Sequence, residues 1–221
     1  MPPKYSEPFR RSDGEHYART TVRSVRKTAE TSVPLTPAIA ERWSPRAFDA
    51  AAELTGPQLT ALLEAARWAP SFGNTQPARY LAGRRGDRAF TLILEALNPG
   101  NQAWAFRASA LLIGVMVTAN EKGDIPYAEY GLGMASENLV LQAVELGLVA
   151  HQMAGFSAEA VRSSFGLPEH AVPRIAIAVG TLADASVLED ERRIQRELAP
   201  RHRLPLSEFA FGDGWGDPVF P

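Results

Sequence analysis

The chain of 221 residues has no cysteine. Disulfides, thiolate nucleophiles and cysteine metal sites are therefore excluded, and any chemistry must come from oxygen or nitrogen side chains or from a bound cofactor. Its four histidines, His16, His151, His170 and His202, are scattered without metal-ligand spacing, which argues against a zinc site. An excess of one charge is also missing, with 23 Lys and Arg against 25 Asp and Glu and a formal net charge of −2. Without a bulk positive field to release counterions, a dedicated nucleic-acid binder is not expected, although a local basic pocket is compatible with these totals. The longest apolar stretch, residues 108–119, is too short to span a bilayer. The first residues lack the apolar segment of a signal peptide. A cytoplasmic protein with no membrane contact is the expectation. There is no Walker loop, and no G-x-G-x-x-G run opens a helix after a strand. There is no G-x-S-x-G elbow, and Ser71, Ser163 and Ser164 lack placed His and acid partners, so nucleophilic hydrolysis is not supported.

What is present suits one large domain with a sizeable core: 45% of residues are apolar and 22% charged. Residues 1–33 are charged and aperiodic and read as a flexible arm. Residues 34–206 form the domain, and 207–221 a tail. Thr36 and Pro37 can start a helix as N-cap and first helical residue. Pro45 then keeps Arg42, Ser44 and Arg46 on an irregular segment. Thr55 and Gln58 have the form of a capping box, and Leu59, Leu62, Leu63 and Ala66 follow at helical spacing. Strands are expected over 78–82, 110–117, 148–153 and 173–182. Helices are expected over 87–97, from Asn101, over 128–146 and from Ser157 to Phe165. Gly147 and Gly166 stand where left-handed caps belong. The stretch 120–126 reads as a polar loop and a natural lid. Ser186 to Glu189 reads as a second capping box, opening an exposed helix to about residue 198.

The 128–146 helix is apolar around most of its circumference, which places it at the centre of the fold or in a subunit interface. There are more helices than a four- or five-stranded sheet needs, which favours a dimer. Phe209, Phe211, Trp215 and Phe220 would be costly to leave in water and are expected to pack on the domain or on a partner chain.

Two features stand out as possible chemistry. Residues 65–77 begin as the end of an amphipathic helix and become a polar elbow. Pro70 pushes Ala69 out of the α region, Ser71, Gly73, Asn74 and Thr75 favour turns, and Pro77 fixes φ again. Such an elbow can wrap a polar ligand with N–H groups and amides; it can equally be a plain helix-to-strand turn. The second feature is a pair of arginine sites, Arg42 with Arg46 and Arg201 with Arg203. Guanidinium forks match phosphate oxygens and stay charged at any working pH, so the two pairs could hold a phosphate if they met; taken by spacing alone they are surface arginines.

Taken together, Arg42-x-Ser44-x-Arg46-x-Phe48, the elbow from Ala69 to Pro77, the long helix closing at Gly147, the turn Ala154-Gly155-Phe156 and Arg201-His202-Arg203 resemble the nitroreductase family. The resemblance covers roughly residues 34–206, and the run from His151 to Phe156 is similar to an actinobacterial-type branch. It implies an α+β FMN-dependent nitroreductase-like fold, with a central mixed, mainly antiparallel sheet flanked by helices, in an intertwined homodimer. It implies an FMN oxidoreductase that uses NAD(P)H to reduce nitroaromatics, quinones or similar electron-poor acceptors in ping-pong order. Relatives with this fold also carry out dehalogenation, flavin breakdown or heterocycle dehydrogenation, and a flavin-binding protein without turnover is a further alternative. By the same resemblance Arg42, Ser44, Arg201 and Arg203 would hold the FMN phosphate and ribityl chain. Arg46 and Asn101 would lie at the pyrimidine edge, and the Ala154 N–H, beside Gly155, would meet flavin N5. Pro70, Ser71, Phe72 and Asn74 would come from the other subunit. No side-chain acid or base is required. Two departures are Trp104, where many members have a lysine, and Ala154, where many have an acidic residue.

Overall fold

Strand β2 (Ala110–Val117) is apolar along its whole length because both of its faces are covered. Leu111, Ile113 and Val115 enter one cluster, with Phe90 and Ile93 of α3 (Arg88–Ala96), Trp104 of α4 (Pro99–Ala105) and Val161 of α6 (Ala158–Phe165). Ala110 and Leu112 enter the other, with Leu62 and Ala66 of α2 (Gly56–Arg67) and Leu139 and Val140 of α5 (Ala128–Glu145). The alternation is the two-residue period of a strand. Each fully buried Leu, Ile or Val stabilises the fold by about 1.5–3 kcal/mol.

The computed structural model describes residues 27–220, so the arm expected over 1–33 lies outside the described residues as far as residue 26. The first helix, α1, is Pro37–Glu41, with Thr36 at its N-cap. The main sheet has four strands in the order β1 (Ala78–Arg84), β2, β6 (Ala171–Gly180), β5 (Val149–Met153). Each of its three pairings is antiparallel. A helix, α7 (Glu191–Leu198), follows β6. With helices on both faces, this is the α+β architecture expected. Among the described residues no helix is long and apolar enough to cross a membrane.

The Thr55–Gln58 capping box forms in full. Other expectations need correction. Residues 120–126 are not an open loop: β3 (Ala119–Asn120) and β4 (Gly123–Asp124) pair as a tight hairpin. No capping box forms at 186–189. Asp184 caps a short 3-10 turn there, and Glu189 adopts a left-handed φ of 56° that breaks the helical path. Asp190 then caps α7 by accepting from Arg193 N (2.8 Å). Helix α5 is not enclosed within one copy, since Met134, Leu141 and Val144 are half-buried and Tyr130 is exposed. Of its two expected settings, the centre of the fold is the one corrected, and the subunit interface stays an expectation. In the tail, Phe211 packs against Trp215 (ring centroids 4.9 Å apart), but Trp215 is 94% exposed and Phe209 and Phe220 are open too. Trp215, Phe209 and Phe220 therefore do not pack on the domain, and packing on a partner chain stays an expectation.

Gly83 marks where β1 and α3 meet most closely. A Cβ there would lie 2.1 Å from Phe90 N and 2.7 Å from Ala89 C, both backbone atoms. Gly83→Ala must therefore push α3 off the sheet, and it is expected to cost about 1–3 kcal/mol. A urea denaturation midpoint that does not fall would contradict this packing.

Candidate functional site: a cationic cradle beside β5

The irregular segment 42–48 crosses the end of β5. Pro45 O accepts from His151 Nδ1 at 2.9 Å. Because a carbonyl only accepts, Nδ1 carries the ring proton. His151 is 8% exposed and its ring lies 4.7 Å from that of Trp104. Burial lowers its pKa to about 4; the Pro45 carbonyl opposes that shift and the charge of Arg46 adds to it. The imidazole is thus neutral near pH 7. From the other side, the buried Glu197 carboxylate accepts from Arg46 N (2.8 Å) and Ala47 N (3.0 Å).

Arg201 and Arg203 come to the same place. Arg201 donates through Nη1 to Lys27 O (2.8 Å) and Ala40 O (3.0 Å). Burial, then the neighbouring charges of Arg42 and Arg203, push its pKa below the usual value. Lys27 Nζ donates to Ala199 O (2.6 Å) and lies 4.4 Å from the centroid of the Trp43 ring. Its pKa is lowered by burial, with Glu197 pulling the other way and Arg201 and Arg46 adding to the fall. Arg42 Nε is 3.8 Å from Glu137 Oε1, a loose ion pair. Lys27, Arg42, Arg46, Arg201 and Arg203 thus share two carboxylates, Glu137 and Glu197, and positive charge is in excess. Ser44 is exposed beside them.

A second group extends the site along β5. Asn101 Nδ2 donates to Gly155 O (3.0 Å), and Asn98 N donates to the same oxygen (3.0 Å). A Cβ on Gly155 would lie 2.7 Å from Asn101 Nδ2, so the glycine is needed for the approach of Asn101. Ala154 is exposed at the start of that turn. Trp104, 1% exposed, stacks on Phe48 with centroids 6.0 Å apart and planes at 13°. It belongs to the core behind the cradle.

The elbow stands apart. Pro70, Ser71, Phe72 and Asn74 lie by the N-terminal end of α5, where Phe72 meets Tyr127 (centroids 5.3 Å apart) and Pro77 packs on Gly131. Glu137, which the cradle touches, is about 9 Å further along the helix at 1.5 Å per residue. Gly73, Asn74 and Gln76 have φ of 52°, 55° and 49°, and Gln76 N donates to Ser71 Oγ (2.9 Å). Left-handed non-glycine residues store strain that the surroundings must offset.

Sequence reasoning missed Glu197, Glu137 and Lys27, and gave His151 no role. Only His151 left a signal: the period of two puts it on the same strand face as Met153, among buried residues. Its lowered pKa also carries a consequence for stability. Above about pH 6.5 neither folded nor unfolded His151 is charged. As pH falls towards 4 the unfolded chain takes the proton first, so stability is lost across that window and levels off below it. The loss attributable to this group is roughly 3 kcal/mol. Urea midpoints between pH 7 and pH 4 should fall less steeply for His151→Gln than for the native chain; equal slopes would show that the ring is not held neutral.

The chain matches the model of the Nitroreductase family over residues 39–98 and 82–181. A Mycolicibacterium smegmatis protein described as an uncharacterized 15.4 kDa protein in the ask 5' region is 36% identical over 149 residues, 64% of this chain and 99% of its own. A crystal structure of an oxidoreductase containing FMN is 32% identical, with a TM-score of 0.79 over 84% of this chain and 95% of that one. A Bacteroides thetaiotaomicron structure, described as an NADH dehydrogenase/NAD(P)H nitroreductase, is 25% identical, with a TM-score of 0.57 over 66% of this chain and 84% of that one. With its antiparallel sheet between helical layers and the family model matched across most of its domain, the chain belongs to the Nitroreductase family.

Proposed function

We propose that this protein is an FMN-dependent oxidoreductase, working as a homodimer, that uses NAD(P)H to reduce nitroaromatic, quinone or similar electron-poor acceptors in ping-pong order. One observation carries the reading: Arg42 and Arg203 both lie within charge–charge range of Arg201, and among the described residues the loose Arg42–Glu137 pair is the only carboxylate contact of the three. A phosphate dianion is the group such a cluster fits, since it accepts several charge-assisted hydrogen bonds at once. The relative that contains FMN, at 32% identity, supports the choice of phosphorylated ligand, and the name of the Bacteroides structure supports NAD(P)H.

In this reading Arg42, Ser44, Arg201 and Arg203 hold the phosphate and ribityl chain. Arg201 already gives Nη1 to two carbonyls, so its remaining N–H groups serve the anion. Arg46 and Asn101 take the pyrimidine edge. With Nδ2 committed to Gly155 O, Asn101 offers Oδ1 as an acceptor. The backbone N–H of Ala154, an exposed residue, would meet N5 of the central ring, and Pro70, Ser71, Phe72 and Asn74 would be supplied by the second copy. When bound, FMN supplies the hydride chemistry, taking hydride from NAD(P)H and passing reducing equivalents to the acceptor. The fixed cation of Arg46 at the pyrimidine edge favours negative charge there without any reorganisation at the moment of reaction. His151, neutral and tied to Pro45 O, orients segment 42–48 and need not transfer a proton.

The purified protein should be yellow, and NAD(P)H should bleach it without oxygen; a colourless protein that cannot be reconstituted with FMN sinks the proposal. Arg203 is exposed and, among the described residues, its guanidinium bonds only to the neighbouring His202 O (2.7 Å), so its removal should leave the fold unstrained. Arg203→Ala should weaken FMN binding by roughly 10- to 100-fold, the range for a hydrogen bond to a charged group. Flavin fluorescence titration measures this, and unchanged affinity would remove Arg203 from the site.

A further inference from the structure

Segment 42–48 is irregular, and besides the His151 Nδ1 bond to Pro45 O and the Phe48 ring stacked on Trp104 its backbone has few ties. Its far end is tied by a single bridge between Phe48 and Leu182 and by Ala183 N donating to Ala47 O (2.9 Å). Pro45 has no N–H to give. At Arg46 the backbone is held by a side chain from a distant part of the chain. Glu197 Oε1 accepts from Arg46 N (2.8 Å) and Ala47 N (3.0 Å), and Oε2 lies 3.1 Å from Arg46 N. Glu197 is 3% exposed and is the one buried residue of α7. A buried carboxylate costs several kcal/mol in lost hydration, which only specific hydrogen bonds offset. A fixed carboxylate at this point therefore calls for a reason beyond packing.

Position supplies that reason. Between Glu197 and Arg201 the chain has only Leu198, Ala199 and Pro200. Arg201 in turn donates to Ala40 O and Lys27 O, just ahead of Arg42. The contacts therefore close a ring: Glu197 to the Arg46 backbone, along the chain to Arg42 and Ala40, across to Arg201, and back through Pro200 to Glu197. Lys27 Nζ, bonded to Ala199 O, spans the same short link.

We propose that Glu197 is a positioning residue that holds the two arginine arms, Arg42–Arg46 and Arg201–Arg203, at the separation the FMN phosphate requires. This rests on the FMN reading and extends it to a residue that does not touch the flavin. Two consequences of the carboxylate have opposite signs. Its charge, behind a cluster of cations, opposes an incoming anion, so its loss would tighten phosphate binding. Its hydrogen bonds keep the arms in place, so their loss loosens the cradle. The positioning role requires the second to prevail.

The test titrates FMN, and riboflavin, which lacks the phosphate, into the full-length native protein and into Glu197→Ala, Glu197→Asp and Glu197→Gln, read by flavin fluorescence. Glu197→Ala should weaken FMN about tenfold or more, in line with the loss of two hydrogen bonds to one acceptor. Riboflavin, which keeps the pyrimidine edge that Arg46 meets but lacks the phosphate, should weaken by several-fold less than FMN. Asp, one methylene short, should follow Ala. Gln keeps an oxygen that can accept from both N–H groups and should restore most of the FMN affinity. If the Ala variant does not fold, the contrast between Asp and Gln decides alone. FMN bound as tightly or more tightly by Ala or Asp than by the native chain overturns the positioning role, as does an equal loss for FMN and riboflavin. Native protein that binds no FMN overturns the cofactor reading itself, a result separate from any variant.

Discussion

Positive groups do not gather unless something makes them. Two unit charges about 4 Å apart repel by about 1 kcal/mol in water and about 4 kcal/mol near a protein surface. The cluster of Arg42, Arg201 and Arg203 persists here because backbone carbonyls and one carboxylate fix the chain on either side of it. Ala40 O and Lys27 O hold Arg201, Glu197 holds the Arg46 backbone, and His151 holds Pro45 O. The repulsion is then built into the folded state, with Glu137 as a loose counter-charge beside Arg42. An electrostatic site of this kind is set in advance and does not need to rearrange when charge arrives.

The fold explains why these groups converge at β5. Being the edge strand next to β6, β5 leaves one side free for segment 42–48 to pass. Trp104, Phe48 and His151 form a stiff wall behind that crossing, so a shift in the core is felt in the cradle. The turn at Ala154 and Gly155 continues the same edge and is clamped by Asn98 and Asn101 at the start of α4. The elbow is held separately at the N-terminal end of α5, with left-handed backbone strain at Asn74 and Gln76.

Much of this was legible in the residues. The capping box at Thr55, the left-handed glycines at 147 and 166, and the unbroken apolar run of β2 are local signals and appear where expected. Asp190 displaced the expected cap at Ser186 because a left-handed Glu189 separates the two turns, a backbone choice that no spacing rule encodes. The arginine pairs were visible as types, but their meeting depends on contacts spanning more than 150 positions. Glu197 was invisible, because a glutamate in a charged helix reads as solvated until its N–H partners are seen. Gly155 leaves room for the Asn101 side chain, a contact across more than fifty positions that no local pattern encodes.

The most direct measurement is an experimental structure of the protein crystallised with FMN. The expected result is a phosphate held by the guanidinium groups of Arg42, Arg201 and Arg203, with segment 42–48 still tied to Glu197. Arg42 and Arg203 turned to opposite sides of the molecule, or a phosphate bound elsewhere, would contradict it.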